Sequence, residues 1–172
     1  GGPRAGRVGR SAGKGLSGTA CFAYVGPHKR IVAGSRKLQC FDRDQPIDPY
    51  VADEAPVVCA CFNEASLTFI TAAGSSAKIW DGASGRLLRI YRGLAETELT
   101  ALCLDDRQRK FITGDHEGHV RVFNYANGTR MKEMAHHATE ICALEYCPET
   151  RTVVSVSWDG VVKVTDERQH DP

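Results

Sequence analysis

The sequence predicts an all-β chain built from copies of one four-stranded antiparallel unit, and three observations lead there. A phrase recurs: "VVCACFNEASLTFITAAG" from Val57, "LTALCLDDRQRKFITGDHEG" from Leu99 and "ICALEYCPETRTVVSVSWDG" from Ile141, with starts 42 residues apart both times. In these copies Phe69, Phe111 and Val153 fall in register, followed by Ile70, Ile112 and Val154, then Thr71, Thr113 and Ser155. Short runs rich in β-branched and aromatic residues alternate with Gly, Asn and Asp turns, which is strand punctuation. No amphipathic helix of useful length interrupts them. A period of about 40–45 residues with four strands per unit is the pattern of a β-propeller blade.

The unit that begins at Leu99 has the clearest grammar. A strand over Leu99–Leu104 is followed by a polar turn from Asp105 to Arg109 and a second strand from Lys110 to Thr113. A tight turn containing Gly118 leads to a third strand, Val120 to Phe123. "NYANG" makes another turn, and a weak fourth strand runs from Arg130 to Met134. A fainter copy, "TACFAYVGPHKRIVAGS" from Thr19, puts Ile31-Val32-Ala33 in the same place. The units therefore fall near 19–56, 57–98, 99–140 and 141–172, about three and a half copies in all. An arc of so few blades exposes sheet faces and edges, so the expectation is a partial propeller: three to four four-stranded blades of a longer one.

The first 18 residues, "GGPRAGRVGRSAGKGLSG", hold seven glycines, four basic residues and no acid. With nothing apolar to bury, they read as a flexible arm or loop. "GRSAGKG" fails as a phosphate-binding loop, because Lys14 is followed by Gly15 where a Ser or Thr should hold the metal. The Asp-rich "DRDQPIDPYVADE" lacks the central Gly and ligand spacing of a calcium loop.

Apolar residues make up 42% and charged residues 25%, the balance of a soluble globular protein. A net charge of +1 gives no global attraction for nucleic acid or an anionic membrane. No apolar run approaches the roughly 20 residues that span a bilayer, and no secretory signal is expected. Seven cysteines without paired spacing point to free thiols and a cytoplasmic setting.

From about Thr19 to Glu167 these residues resemble the WD-repeat β-propeller family, whose signature dipeptide closes the third strand of each unit. "KIWD" (Lys78 to Asp81) fits in full, with Trp80-Asp81 in place. Counting along the repeat puts Phe123-Asn124, Thr165-Asp166 and Phe41-Asp42 at the same position. Trp158-Asp159 spells the signature but aligns with His116-Glu117, in the turn between second and third strands. The resemblance implies a turn network in which Asp159 accepts hydrogen bonds that tie the turn to His137 and Ser155, with Thr165 in place of the signature Trp. Ser76 and Glu117 stand near the Asp position of the other units, and Ala95 occupies a His position. Within the family, "FITGDHEGHVRVFNYANG" followed by "EICALEYCPETRTVVSVSWDGVVKVTDE" is most similar to divergent ciliary and flagellar WD-repeat proteins.

Candidate chemistry is sparse. Cys59 and Cys61 share a strand face, and Cys103 aligns with Cys61, but the thiols are spread over different units and fit core packing better than metal binding. His137 is accounted for by the turn, and His116 and His119 stand in or beside a hairpin turn without a metal-ligand spacing. No nucleophile, base and orienting group come together, so neither an enzyme nor a cofactor is expected. Function should then sit on turns that a rigid scaffold presents, with Arg107, Arg109, His116, His119 and Trp158 as candidate partner contacts. Trp158 either packs on a neighbouring blade or anchors an interface. The resemblance implies a non-catalytic scaffold for protein–protein interactions, a component of a ciliary or flagellar axoneme whose partners are other proteins and further blades of its own chain. The alternatives are an adaptor in signalling, ubiquitin-ligase or trafficking complexes, and a nucleic-acid-associated propeller using the basic arm.

Overall fold

The computed structural model describes residues 55–134 and 136–168, together with the backbone of 21–25, 30–34, 37–42 and 45–51. The basic arm expected at 1–18 lies outside the described residues. All regular structure among those described is β, in four antiparallel sheets that follow one another along the chain. The first holds β1 (Cys21–Val25), β2 (Arg30–Gly34), β3 (Lys37–Asp42) and β4 (Gln45–Val51). The second holds β5 (Val57–Asn63), β6 (Thr68–Ala73), β7 (Ser76–Asp81) and β8 (Leu87–Tyr91). The third holds β9 (Leu99–Leu104), β10 (Lys110–Asp115), β11 (Val120–Asn124) and β12 (Arg130–Glu133). The fourth has three strands, β13 (Ile141–Cys147), β14 (Thr152–Ser157) and β15 (Val162–Asp166). Each sheet is a meander, and the first strands of successive sheets, β1, β5, β9 and β13, lie side by side. This is the blade arrangement of a propeller.

The pairing fixes the register of the repeat. Trp80 pairs with Phe69, Phe123 with Phe111, Thr165 with Val153 and Phe41 with Ile31. In the second to fourth sheets the first strand also carries one extra residue opposite the second strand, at Val58, Thr100 and Cys142. These three positions are again 42 apart. A bulge of this kind inverts the inside–outside alternation of the residues before it. Leu99 therefore faces the same way as Leu102, toward the preceding sheet, although a regular strand would turn it to the side of Ala101 and Cys103. Val57, Leu99 and Ile141 are all fully buried as a result.

The core consists of layers between blades. One, between the second and third sheets, contains Ile70, Ile79, Leu99, Leu102, Phe111 and Phe123. The other, between the third and fourth, contains Cys103, Ile112, Val122, Ile141, Leu144 and Val153. Alternate residues of β10 and β11 thus supply opposite layers, which is why β10 is buried on both faces. Phe111 is the hub of the first layer, with Tyr91 stacked on it at 5.9 Å, Phe123 at 5.2 Å and the edge of Tyr125 at 6.4 Å. Gly114 admits the next blade: a Cβ there would lie 2.5 Å from the Ile141 side chain.

Candidate interaction surface

Strand direction sorts the turns onto two opposite ends of the sheets. One end carries the turns between second and third strands and the links from one sheet to the next. The other carries the turns between first and second strands and those after the third. Trp158, His116 and His119 lie at the first end, and Arg107 and Arg109 at the second. The five candidate contacts are thus two groups on opposite ends.

At the first end the turn after β14 is held firmly. The Ser157 hydroxyl donates to the Thr139 carbonyl at 2.9 Å, and the Trp158 backbone N–H donates to the Glu140 carbonyl at 3.1 Å. The Trp158 side chain is 71% exposed and is not covered by any of the described blades. His116 sits beside it, with Nδ1 3.1 Å from the Glu140 carboxylate. His119 is engaged differently: its Nδ1 lies 2.5 Å from Glu133 Oε1, and its ring lies 4.5 Å from that of His136.

Beneath this surface, His137 is buried, and its Nε2 lies 2.8 Å from the Ser155 hydroxyl. Asp159 does not complete a hydrogen bond to it. The Asp159 carboxylate stands 4.0 Å from His137 Nδ1, which has no hydrogen-bond partner among the described residues, and accepts the Val161 backbone N–H at 2.8 Å instead. That backbone hydrogen bond holds the Asp159 carboxyl below the usual range, whereas burial, aided by the Lys163 charge, pulls the His137 imidazole below its ordinary value.

In the preceding blade the turn acceptor is Asp115 and not Glu117, the residue expected near that position. Asp115 is buried at the end of β10, accepts the backbone N–H groups of Glu117 and His119, and takes Arg121 Nη1 on its second oxygen at 2.6 Å. Arg121 is itself buried and also reaches Glu133 at 3.4 Å. The repeat alignment, which set Glu117 opposite Asp159, missed this pair. The visible signal was a charged residue inside the apolar run "VRVFN", where a buried Arg needs a buried acid. Gly118 lets this turn meet the link to the fourth sheet: at φ +91° it approaches so closely that a Cβ would stand 2.3 Å from the His137 carbonyl oxygen.

Of the signature positions, Trp80 donates its indole N–H to Thr71 at 2.9 Å and stacks on Phe69. Asp81 accepts the backbone N–H groups of Ala83 and Ser84, Asn124 accepts that of Ala126, and Asp166 pairs with Arg168. Each therefore caps the turn after its third strand. Cys59 and Cys61 both direct their thiols at the Leu102 carbonyl, at 3.3 and 3.4 Å, within the layer between blades. The hydrogen bond to Cys59 together with burial pushes the Cys61 thiol far up, and burial does the same to Cys103, so both stay protonated. Among the described residues, no group of three or more His, Cys, Asp or Glu side chains is placed to hold a metal ion.

Four meandering sheets with adjacent first strands and a shared third-strand register define a β-propeller segment. Residues 128–166 match the family described as WD domain, G-beta repeat, and the second and third sheets repeat the third-strand register of that matched segment. The chain is 25% identical over 145 residues, 84% of its length, to Cilia- and flagella-associated protein 337 B of Tetrahymena thermophila, of which it spans 12%. It is 27% identical over 60% of its length to Cilia- and flagella-associated protein 52 of Mus musculus, spanning 17% of that protein. COMPASS component SWD3 of Saccharomyces cerevisiae is 24% identical over 68% of the chain, which spans 40% of it. In three dimensions the chain superposes on the WD40 β-propeller domain of Doa1 with a TM-score of 0.73 and 17% identity, covering 83% of this chain and 48% of that one. The last likeness establishes the fold alone.

Proposed function

We propose that this chain is part of a non-catalytic scaffold that holds other proteins in a ciliary or flagellar assembly. The observation that carries it is Trp158: a large aromatic, mostly exposed, on a turn tied by two hydrogen bonds to the Thr139–Glu140 link. Burying such a side chain against a partner contributes much of an interface's energy, because little ordering entropy remains to be lost. Two of the relatives bear ciliary and flagellar names, which supports the location. The propeller supplies rigidity, and its turns supply recognition.

The test is fractionation of the full-length protein in ciliated cells. It is expected to remain with detergent-extracted axonemes, and Trp158→Ala to reduce that retention several-fold without altering the fold. Recovery in the detergent-soluble or nuclear fraction would reject the ciliary assignment.

A further inference from the structure

A cleft of about 450 Å³ opens between the third and fourth sheets, at the end opposite Trp158. That volume lies within the roughly 300–1,000 Å³ of ordinary ligand sites. Its floor is polar and already neutralised. The Glu167 carboxylate is paired with Lys110 and accepts the Tyr146 hydroxyl at 2.6 Å, and the Glu167 carbonyl accepts Lys132. Burial pushes the Glu167 carboxyl up, but the Lys110 and Tyr146 hydrogen bonds overcome this and keep it ionised. Asp105, also buried, is occupied by the Lys110 backbone N–H at 2.7 Å.

The rim is different. Arg107 and Arg109 stand on one wall and Arg151 on the other, all exposed, and no guanidinium of the three has a hydrogen-bonding or ionic partner among the described residues. Asp106 is the one acid at the rim, and in total five basic and three acidic side chains line the cleft, in a chain whose net charge is only +1. The walls are rigid. The turn that carries Arg107 and Arg109 is clamped by the second sheet, through Asn63 Nδ2 to the Gln108 carbonyl at 2.7 Å and the Ala65 N–H to Gln108 Oε1 at 3.0 Å. On the far wall the Arg151 carbonyl accepts the Glu167 N–H at 3.0 Å.

We propose that this cleft binds an acidic, glutamate-rich segment of a partner protein, whose carboxylates pair with Arg107, Arg109 and Arg151. Planar guanidinium groups take carboxylates in bidentate fashion, and three of them on preset turns lose little freedom on binding. This deepens the scaffold reading but uses the other end of the molecule, so its failure would leave the Trp158 surface untouched.

The experiment measures fluorescence anisotropy of a labelled ten-residue glutamate-rich peptide with the full-length protein, beside the same peptide with Gln for Glu. The glutamate peptide is expected to bind and the glutamine peptide not to. The combined variant Arg107→Ala, Arg109→Ala, Arg151→Ala should weaken binding roughly tenfold, since exposed ion pairs are individually modest. A control variant, Arg86→Ala, Arg89→Ala, Arg92→Ala on the second sheet, removes the same charge elsewhere and should have little effect. Equal losses in the two variants, binding of the glutamine peptide, or displacement of the glutamate peptide by a short RNA at comparable concentration would each overturn the proposal. Circular dichroism of both variants verifies that the fold is retained.

Discussion

At the scale of single residues, the buried His137 is the most informative side chain. It is held neutral, hydrogen-bonded to Ser155 and short of a full contact with Asp159. Its folded pKa lies below the ordinary value of about 6.5. The unfolded chain therefore binds a proton that the folded chain resists, and stability is present above that pH and lost as pH falls below it. The charged groups around it are Lys163, which opposes protonation, Asp159, which favours it, and His136. Thermal denaturation is expected to show a midpoint that drops between pH 7.5 and pH 5.5, and His137→Gln should flatten that drop. The replacement should also cost about 1–3 kcal/mol at neutral pH by disturbing the buried Ser155 contact.

The residue scale is also where the sequence was least legible. His137 and Ser155 were offered by the family resemblance, and the two side chains do meet, with Nε2 2.8 Å from the Ser155 hydroxyl. Asp115 with Arg121 could not be placed this way: the β10–β11 and β14–β15 turns each hold four residues, so the repeat carries Asp115 onto Ser157 and Glu117 onto Asp159, and the acceptor changes position between units. A repeat count cannot show that an acceptor has moved two places within turns of equal length. Trp158 was ambiguous for another reason: a turn position does not reveal whether a neighbouring blade covers it.

At the scale of strands, the period and the apolar pattern were enough to place the third-strand register in every unit. The strands of the unit from Leu99 lie within a residue or two of their expected bounds. The bulge was hidden, because "LTALCL" reads as an ordinary mixed strand and only pairing shows Thr100 to be extra. The two faces of β10 have unequal duties. Phe111 centres a four-ring aromatic cluster against the second sheet, while Ile112 packs against the fourth. Phe111→Ala is expected to destabilise by about 3–5 kcal/mol in chemical denaturation, because the rings around it cannot collapse into the space. Trp158→Ala, by contrast, should stay within about 0.5 kcal/mol of the parent, as befits an exposed side chain away from the core.

At the scale of the whole molecule, the last sheet presents what the one before it buries. Ile112, Val120 and Val122 are at most 1% exposed beneath the fourth sheet. Their counterparts one repeat later are Val154, Val162 and Val164, and here Val162 and Val164 are 58% and 64% exposed along the edge strand β15. A contiguous apolar strip on a strand edge with no pairing partner among the described residues calls for a cover, from a further blade or another chain. The 172-residue chain by itself is expected to self-associate in light scattering. Val162→Lys with Val164→Lys should make it monomeric, and a monomeric parent chain would count against the need for a cover.

The bulges at Val58, Thr100 and Cys142 bear on how such a chain can change length. A residue lost from a turn shortens a connection and leaves every ladder in phase, as the shorter turn between β6 and β7 illustrates. A residue lost at a bulge would swing Val57, Leu99 or Ile141 out of its layer and turn an anchor of one blade toward the wrong neighbour. Tolerance to insertion and deletion is thus written unevenly along each repeat, generous in the hairpins and close to nil at the second residue of the first strand.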